Sequence, residues 1–177
     1  MMRWIIEKSI ADEIAPAVHW AKNFLAPFST ARLDWIRIDT GRGRLAGAYG
    51  RCWYPSGRGT KSKGYRISIQ VPGPFPYWQR RYVKPLYQSA NGSWPPVPDG
   101  CEKAGWCRDE RTGREWVRLR TRYEMRSRVE AVVHVLAHEF FHFLRHSRQI
   151  PGRNHENEAD QFALAVVDGF RRLASKA

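Results

Sequence analysis

Residues 128–146 read RVEAVVHVLAHEFFHFLRH. Val129, Val132, Val133, Leu136, Ala137, Phe140, Phe141 and Leu144 recur there at steps of three and four, with no Gly or Pro between Glu124 and Ile150. That spacing predicts one long helix with a wide apolar side. His138 and His142, four apart, then share a face and aim their imidazoles at one point. Such a point suits a zinc ion. Glu139 lies about 100° further round the helix, where it reaches a water at the metal without binding the metal itself, as a general base must. Zinc would lower the pKa of such a water to about 7 and polarise a scissile carbonyl. Catalytic zinc sites take three protein donors and leave a fourth position open, so a third donor has to come from elsewhere in the chain.

The chain has 177 residues, 42% of them hydrophobic and 13% aromatic, which suffices for one globular domain with its own core. No apolar run reaches the eighteen or so residues of a membrane helix. MMRWIIEKSIADE carries acids where a signal peptide would be apolar, so the expected location is cytoplasmic, with no membrane partner. Cys52, Cys101 and Cys107 are odd in number and lack Cys-x-x-Cys spacing, and they read as reduced thiols. Lys and Arg outnumber Asp and Glu by 30 to 17, a net charge of +13. That balance points to a polyanionic partner, nucleic acid first, although no base-reading motif accompanies it.

Working outward from the central run, residues 7–26 have helical spacing in Ile10, Ile14, Val18, Ala21 and Leu25, with Pro16 expected to kink or divide the element. LDWIRID and LAGAYGRCWYP read as the two arms of a hairpin, and Tyr65 to Val71 as a half-buried strand. The glycine-rich stretches between these carry Arg42, Arg44, Arg51, Arg58, Lys61 and Lys63, which offer charge for phosphates without a phosphate-loop pattern. Residues 72–114 read as an irregular insertion rich in Pro, Gly and Trp, where Phe75, Tyr77, Trp78, Arg80, Arg81, Tyr82 and Lys84 would suit stacking on unpaired bases or cover a sheet. A hairpin turning at Thr112-Gly113 follows. After the central run, Asn154 is the expected N-cap of a last helix whose apolar side runs from Ala159 to Leu173.

The spacing His138-Glu139-x-x-His142, followed by Glu156-Asn157-Glu158-Ala159-Asp160-Gln161-Phe162-Ala163, resembles the gluzincin zinc metallopeptidases and, in its Glu-x-Glu-Ala-x-x-Phe-Ala form, the ImmA/IrrE-like peptidases that cleave repressors. The resemblance implies Glu156 as third ligand and Asp160 as the carboxylate that orients a ligand histidine. The order of elements is also similar to that of SprT-like metallopeptidases, some of which act on DNA-attached proteins; there the third ligand is a histidine, which would be His155 here. Either way the expectation is an α+β, minimal zincin-like domain hydrolysing a protein or peptide, with an N-terminal helix, a small, mainly antiparallel sheet, and the metal helix and a C-terminal helix after it. Its edge strand, Tyr65 to Val71, would align the substrate, and His146 or Tyr65 would contact substrate or a developing oxyanion. The alternative from another class is a basic nucleic-acid-binding protein whose zinc is structural, held by His138, His142, His155 and Glu156.

Overall fold

The first strand, β1 (Arg3–Ile6), precedes the helical period that dominates residues 7–26. A 3-10 turn at Lys8–Ile10 leads into α1 (Ala11–Leu25), which runs through Pro16 as one element rather than dividing there. β2 (Leu33–Asp39), β3 (Tyr49–Trp53) and β4 (Tyr65–Gln70) complete a four-stranded sheet of order β1-β2-β4-β3. The chain continues through β5 (Tyr77–Tyr87), β6 (Cys101–Arg108) and β7 (Glu115–Met125) to α2 (Arg128–His146) and α3 (Glu156–Ala174). The fold is α+β. This computed structural model describes residues 2–41, 48–55 and 64–175, excluding the side chains of 79–82 and 84. Arg42, Arg44, Arg58, Lys61 and Lys63 therefore lie outside the described residues, as do the side chains of Arg80, Arg81, Tyr82 and Lys84.

The chain divides into two compact units, Met1–Tyr77 with Met125–Ala177, and Trp78–Glu124. In the first, β1 and β2 are parallel, β2 and β4 are parallel, and β3 is antiparallel to β4. The sheet is thus mixed rather than mainly antiparallel, and β2 and β3 do not form a hairpin because β4 lies between them. α1 supplies the crossover that a parallel β1/β2 pair requires. Alternation in the sequence fixes which side chains of a strand are buried but not which strand becomes its neighbour. In the second unit the strands are ordered β5-β7-β6, with β6 and β7 an antiparallel hairpin. Asp109 Oδ1 accepts from the N–H groups of Arg111 and Thr112 and closes that hairpin. Much of the stretch expected to be irregular is therefore strand, and Pro85 sits inside β5.

One face of the four-stranded sheet is buried: Ile36, Ile38, Ile67 and Ile69 are wholly inaccessible, each contributing roughly 1.5–3 kcal/mol of transfer free energy. α2 lies against β3 and β4 and packs on α1 and α3. Phe24 joins the three helices, with ring centroids 4.8 Å from Trp20, 6.0 Å from Phe140 and 6.1 Å from Phe162. α2 begins at Ser127, whose Oγ accepts from the Glu130 N–H, while the Glu130 carboxylate accepts from the Arg126 N–H. Arg171 of α3 then grips that carboxylate with two bonds, Nε to Oε1 at 3.0 Å and a terminal nitrogen to Oε2 at 2.6 Å. At the opposite end Arg145 donates to Glu158 at 2.5 Å. Gly152, at φ 110°, leaves room for that guanidinium: a Cβ there would sit 2.0 Å from it.

Burial pushes the Glu130 carboxyl upward, but its Arg171 and Arg126 bonds and both charges outweigh this and hold it below the ordinary carboxylate range. A lowered pKa in the folded state stabilises the fold above the unfolded carboxylate pKa, and that contribution is lost as pH falls through the folded value. Arg171→Ala should therefore cost about 2–3 kcal/mol in urea unfolding at neutral pH, and less in acid. An equal cost at both pH values would contradict the ion pair as its source.

Candidate metal centre

The antiparallel packing of α2 on α3 brings His138, His142 and Glu156 together, and these form a group able to hold a metal. Helical spacing puts the two rings on one face, and contacts behind each ring fix its orientation. His138 Nδ1 is 3.0 Å from Asp160 Oδ1. His142 Nδ1 is 2.6 Å from Asn154 Oδ1. An oxygen at each Nδ1 places the proton there and leaves the Nε2 lone pair for a metal. The Asn154 amide is itself oriented, since its Nδ2 donates to the Tyr54 hydroxyl at 3.3 Å.

The two Nε2 atoms are 3.0 Å apart, Glu156 Oε2 is 3.2 Å from that of His138, and Glu156 Oε1 is 3.4 Å from that of His142. A tetrahedral zinc with bonds of about 2.0–2.1 Å separates its donor atoms by about 3.3–3.4 Å. Each of the three separations is within a few tenths of an ångström of that value, the two to Glu156 being made by different carboxylate oxygens, and two imidazoles with one carboxylate are a donor set that suits zinc. The Glu156 side chain is 79% exposed against 6% for His142, so the carboxylate marks the side from which solvent enters.

Glu139 is buried beside this triangle. β3 comes so close that a Cβ on Gly50 would lie 2.6 Å from Glu139 Cγ and 2.5 Å from Val135 Cγ1, so only glycine fits at that position. The Cys52 N–H donates to the Glu139 carboxylate. Burial raises the Glu139 pKa above the ordinary carboxylate range, opposed by the two imidazoles and that N–H. For His138, burial disfavours the charged ring, but the Asp160 bond and the carboxylates of Glu139, Asp160 and Glu156 prevail and raise its pKa. Burial, reinforced by Glu139, pushes the Cys52 thiol up, so it stays an unreactive thiol.

The remaining sequence candidates fall around this centre. His155 is exposed, serves as the N-cap residue of α3 without a side-chain capping bond, and is not one of the converging donors. Of the two candidates for a third donor, Glu156 is the one that converges with the histidines. Asn154, the expected N-cap, instead turns its amide oxygen to accept from the His142 Nδ1–H, while the helix terminus it leaves is already lined by acids. Tyr65 is buried, with its hydroxyl 3.0 Å from His146 Nδ1, so it supports His146 rather than facing substrate. Tyr54 stacks on His146 with ring centroids 4.1 Å apart. Burial raises the Tyr54 pKa, keeping the phenol protonated as a donor beside the site. His134 is buried and is not among the converging donors. Sequence reasoning did not find the roles of Asn154, Tyr54 and Gly50, because each depends on the approach of segments distant in the chain.

No protein-family model, curated protein or solved structure matches the chain. The likeness to gluzincin and SprT-like peptidases therefore rests on the motif residues themselves. Asp160→Ala and Asn154→Ala should each weaken zinc binding by about 10- to 100-fold in competition with a chromophoric chelator. Unaltered affinity in both variants would contradict the assignment of Nδ1 partners.

Proposed function

We propose that this chain is a zinc-dependent peptidase hydrolysing a protein or peptide. The observation that carries the reading is the convergence of exactly oriented donors: two imidazole Nε2 atoms and one carboxylate within metal distance, with the buried Glu139 beside them. His138, His142 and Glu156 would hold the ion. When bound, zinc supplies Lewis acidity, acidifying water to a pKa of about 7 and polarising the scissile carbonyl. Three donors leave a position open, which favours a catalytic over a four-coordinate structural site; His155, the fourth donor of the structural alternative, is not among them.

Glu139 takes the proton from the attacking water and delivers it to the departing amine. Its raised pKa strengthens it as a base, and the Cys52 N–H holds its carboxylate in place. His146 and the protonated Tyr54 stand as donors for the oxygen that becomes negative.

The strand that would align the substrate differs from the one expected. β4 is central, and among the described residues β3 is the edge strand of the sheet that lies beside α2. The Cys52 N–H turns toward Glu139, away from β4, and Gly50, two residues before it, directs its backbone groups the same way. An extended peptide would pair with the N–H and C=O of Gly50 and so place a carbonyl near the triangle.

Glu139→Gln should lower hydrolysis of a quenched fluorescent peptide library by on the order of 10²–10⁴-fold while zinc content and folding stay unchanged. Cleavage at the wild-type rate would exclude Glu139 as the base.

A further inference from the structure

The helices bury one face of the four-stranded sheet, and the other face has a composition that no single stretch of sequence reveals. Strand register lines Arg3, Trp35, Arg66 and Trp53 across the four strands in one row. The next outward row is Ile5, Arg37, Ser68 and Arg51, and the third holds Asp39, Gln70 and Tyr49. Four arginines and three aromatic side chains thus share a surface about 15 Å across, with strands about 4.8 Å apart. Asp39 accepts from Arg37 Nε at 2.8 Å, and among the described residues Arg37 alone of these arginines pairs with a carboxylate.

The aromatic rings and the charges are interleaved rather than segregated. The Arg66 guanidinium lies 5.8 Å from the ring centroids of both Trp35 and Trp53, and that of Arg51 sits 3.8 Å over Trp53. Arg66 Nε is buried and lacks a hydrogen-bond partner among the described residues. Trp53 and Tyr49 are 39% and 49% exposed, which leaves ring faces for a further stacking partner. At the C-terminal ends of β1, β2 and β4 this face opens into a concavity of about 740 Å³, lined by Ile5, Arg37, Asp39, Thr40, Ser68 and Gln70. That is room for a nucleoside with polar groups along its edges.

We infer that the open face of this sheet binds single-stranded nucleic acid, with bases on Trp53 and Tyr49 and phosphates on Arg3, Arg37 and Arg51. Flat sheets with exposed aromatics take unstacked bases, since every base has a π-face, and arginines between the rings neutralise the backbone that joins them. A duplex hides its base faces and would meet only the charges. An anionic membrane calls for apolar side chains that protrude, whereas these indoles lie against guanidinium groups. A second copy of the chain would bring a like-charged face. The net charge of +13 supplies the long-range attraction. The aromatic run singled out in the sequence is a weaker candidate: Phe75 packs on Tyr77 and lies beneath Arg128.

Fluorescence anisotropy of the full chain with labelled oligo-dT and oligo-rU, titrated against salt, tests this. Wild type should bind, with log Kd changing against log salt at a slope of about 2, as for three phosphates on a single strand. Arg37→Glu with Arg51→Glu should weaken binding more than 10-fold, and Trp53→Ala roughly 5- to 100-fold. The charge-matched pair Arg114→Glu with Arg118→Glu, in the other unit, should change affinity less than 3-fold. All variants should keep the wild-type circular dichroism and zinc uptake, which separates this face from the metal centre. The inference is overturned if no oligonucleotide binds at low salt, if both charge-reversed pairs weaken binding equally, or if anionic phosphatidylserine vesicles bind and single strands do not.

Discussion

Two arginine–carboxylate pairs, Arg171 with Glu130 and Arg145 with Glu158, lock α2 and α3 antiparallel at both ends of their contact. The convergence of His138, His142 and Glu156 depends on that lock. His138 and His142 belong to α2, whereas Glu156 and Asp160 belong to α3 and Asn154 to the segment just before it. A shift of one helix along the other by a single residue, about 1.5 Å, would separate the histidines from the Glu156 oxygens that now lie 3.2–3.4 Å from them. Metal binding would in turn reinforce the same packing, because an ion held by both helices favours only the folded arrangement.

The second constraint is the approach of β3. An edge strand pressed on α2 needs a residue without a side chain where it crosses Glu139, and Gly50 provides it. The same approach buries Glu139, raises its pKa and directs the Cys52 N–H onto its carboxylate. One local contact thereby sets both the basicity and the position of the proposed base. The two imidazoles are supported differently, one by a carboxylate and one by an amide. The Asp160 charge pulls electron density onto His138 more strongly than Asn154 can onto His142.

The sequence was most informative where spacing within one helix carries the chemistry. The α+β class and the long helix that carries His138 and His142 are legible from periodicity, and the convergence of those two rings follows from a step of four. Periodicity was silent on strand partners, so the parallel β1/β2 and β2/β4 pairs and the central place of β4 were not foreseen. Pro and Gly content made residues 72–114 read as irregular, yet β5 and β6 pass through them. Asn154 is a good capping residue by type, and nothing in the chain order reveals that His142 competes for its amide. The arginine and tryptophan rows on the open sheet face likewise arise only when four separated strands come into register. No helix among the described residues is long and apolar enough to cross a membrane.

The central claim is that Glu156, with His138 and His142, completes a zinc site. The most direct test is elemental mass spectrometry of purified, untagged protein after dialysis against metal-free buffer, for wild type, Glu156→Ala and His155→Ala. The account predicts about one zinc per chain in wild type and in His155→Ala, as expected for a single three-donor site, and its loss in Glu156→Ala. Zinc kept by Glu156→Ala and lost by His155→Ala, or no zinc uptake by the wild type, would contradict it.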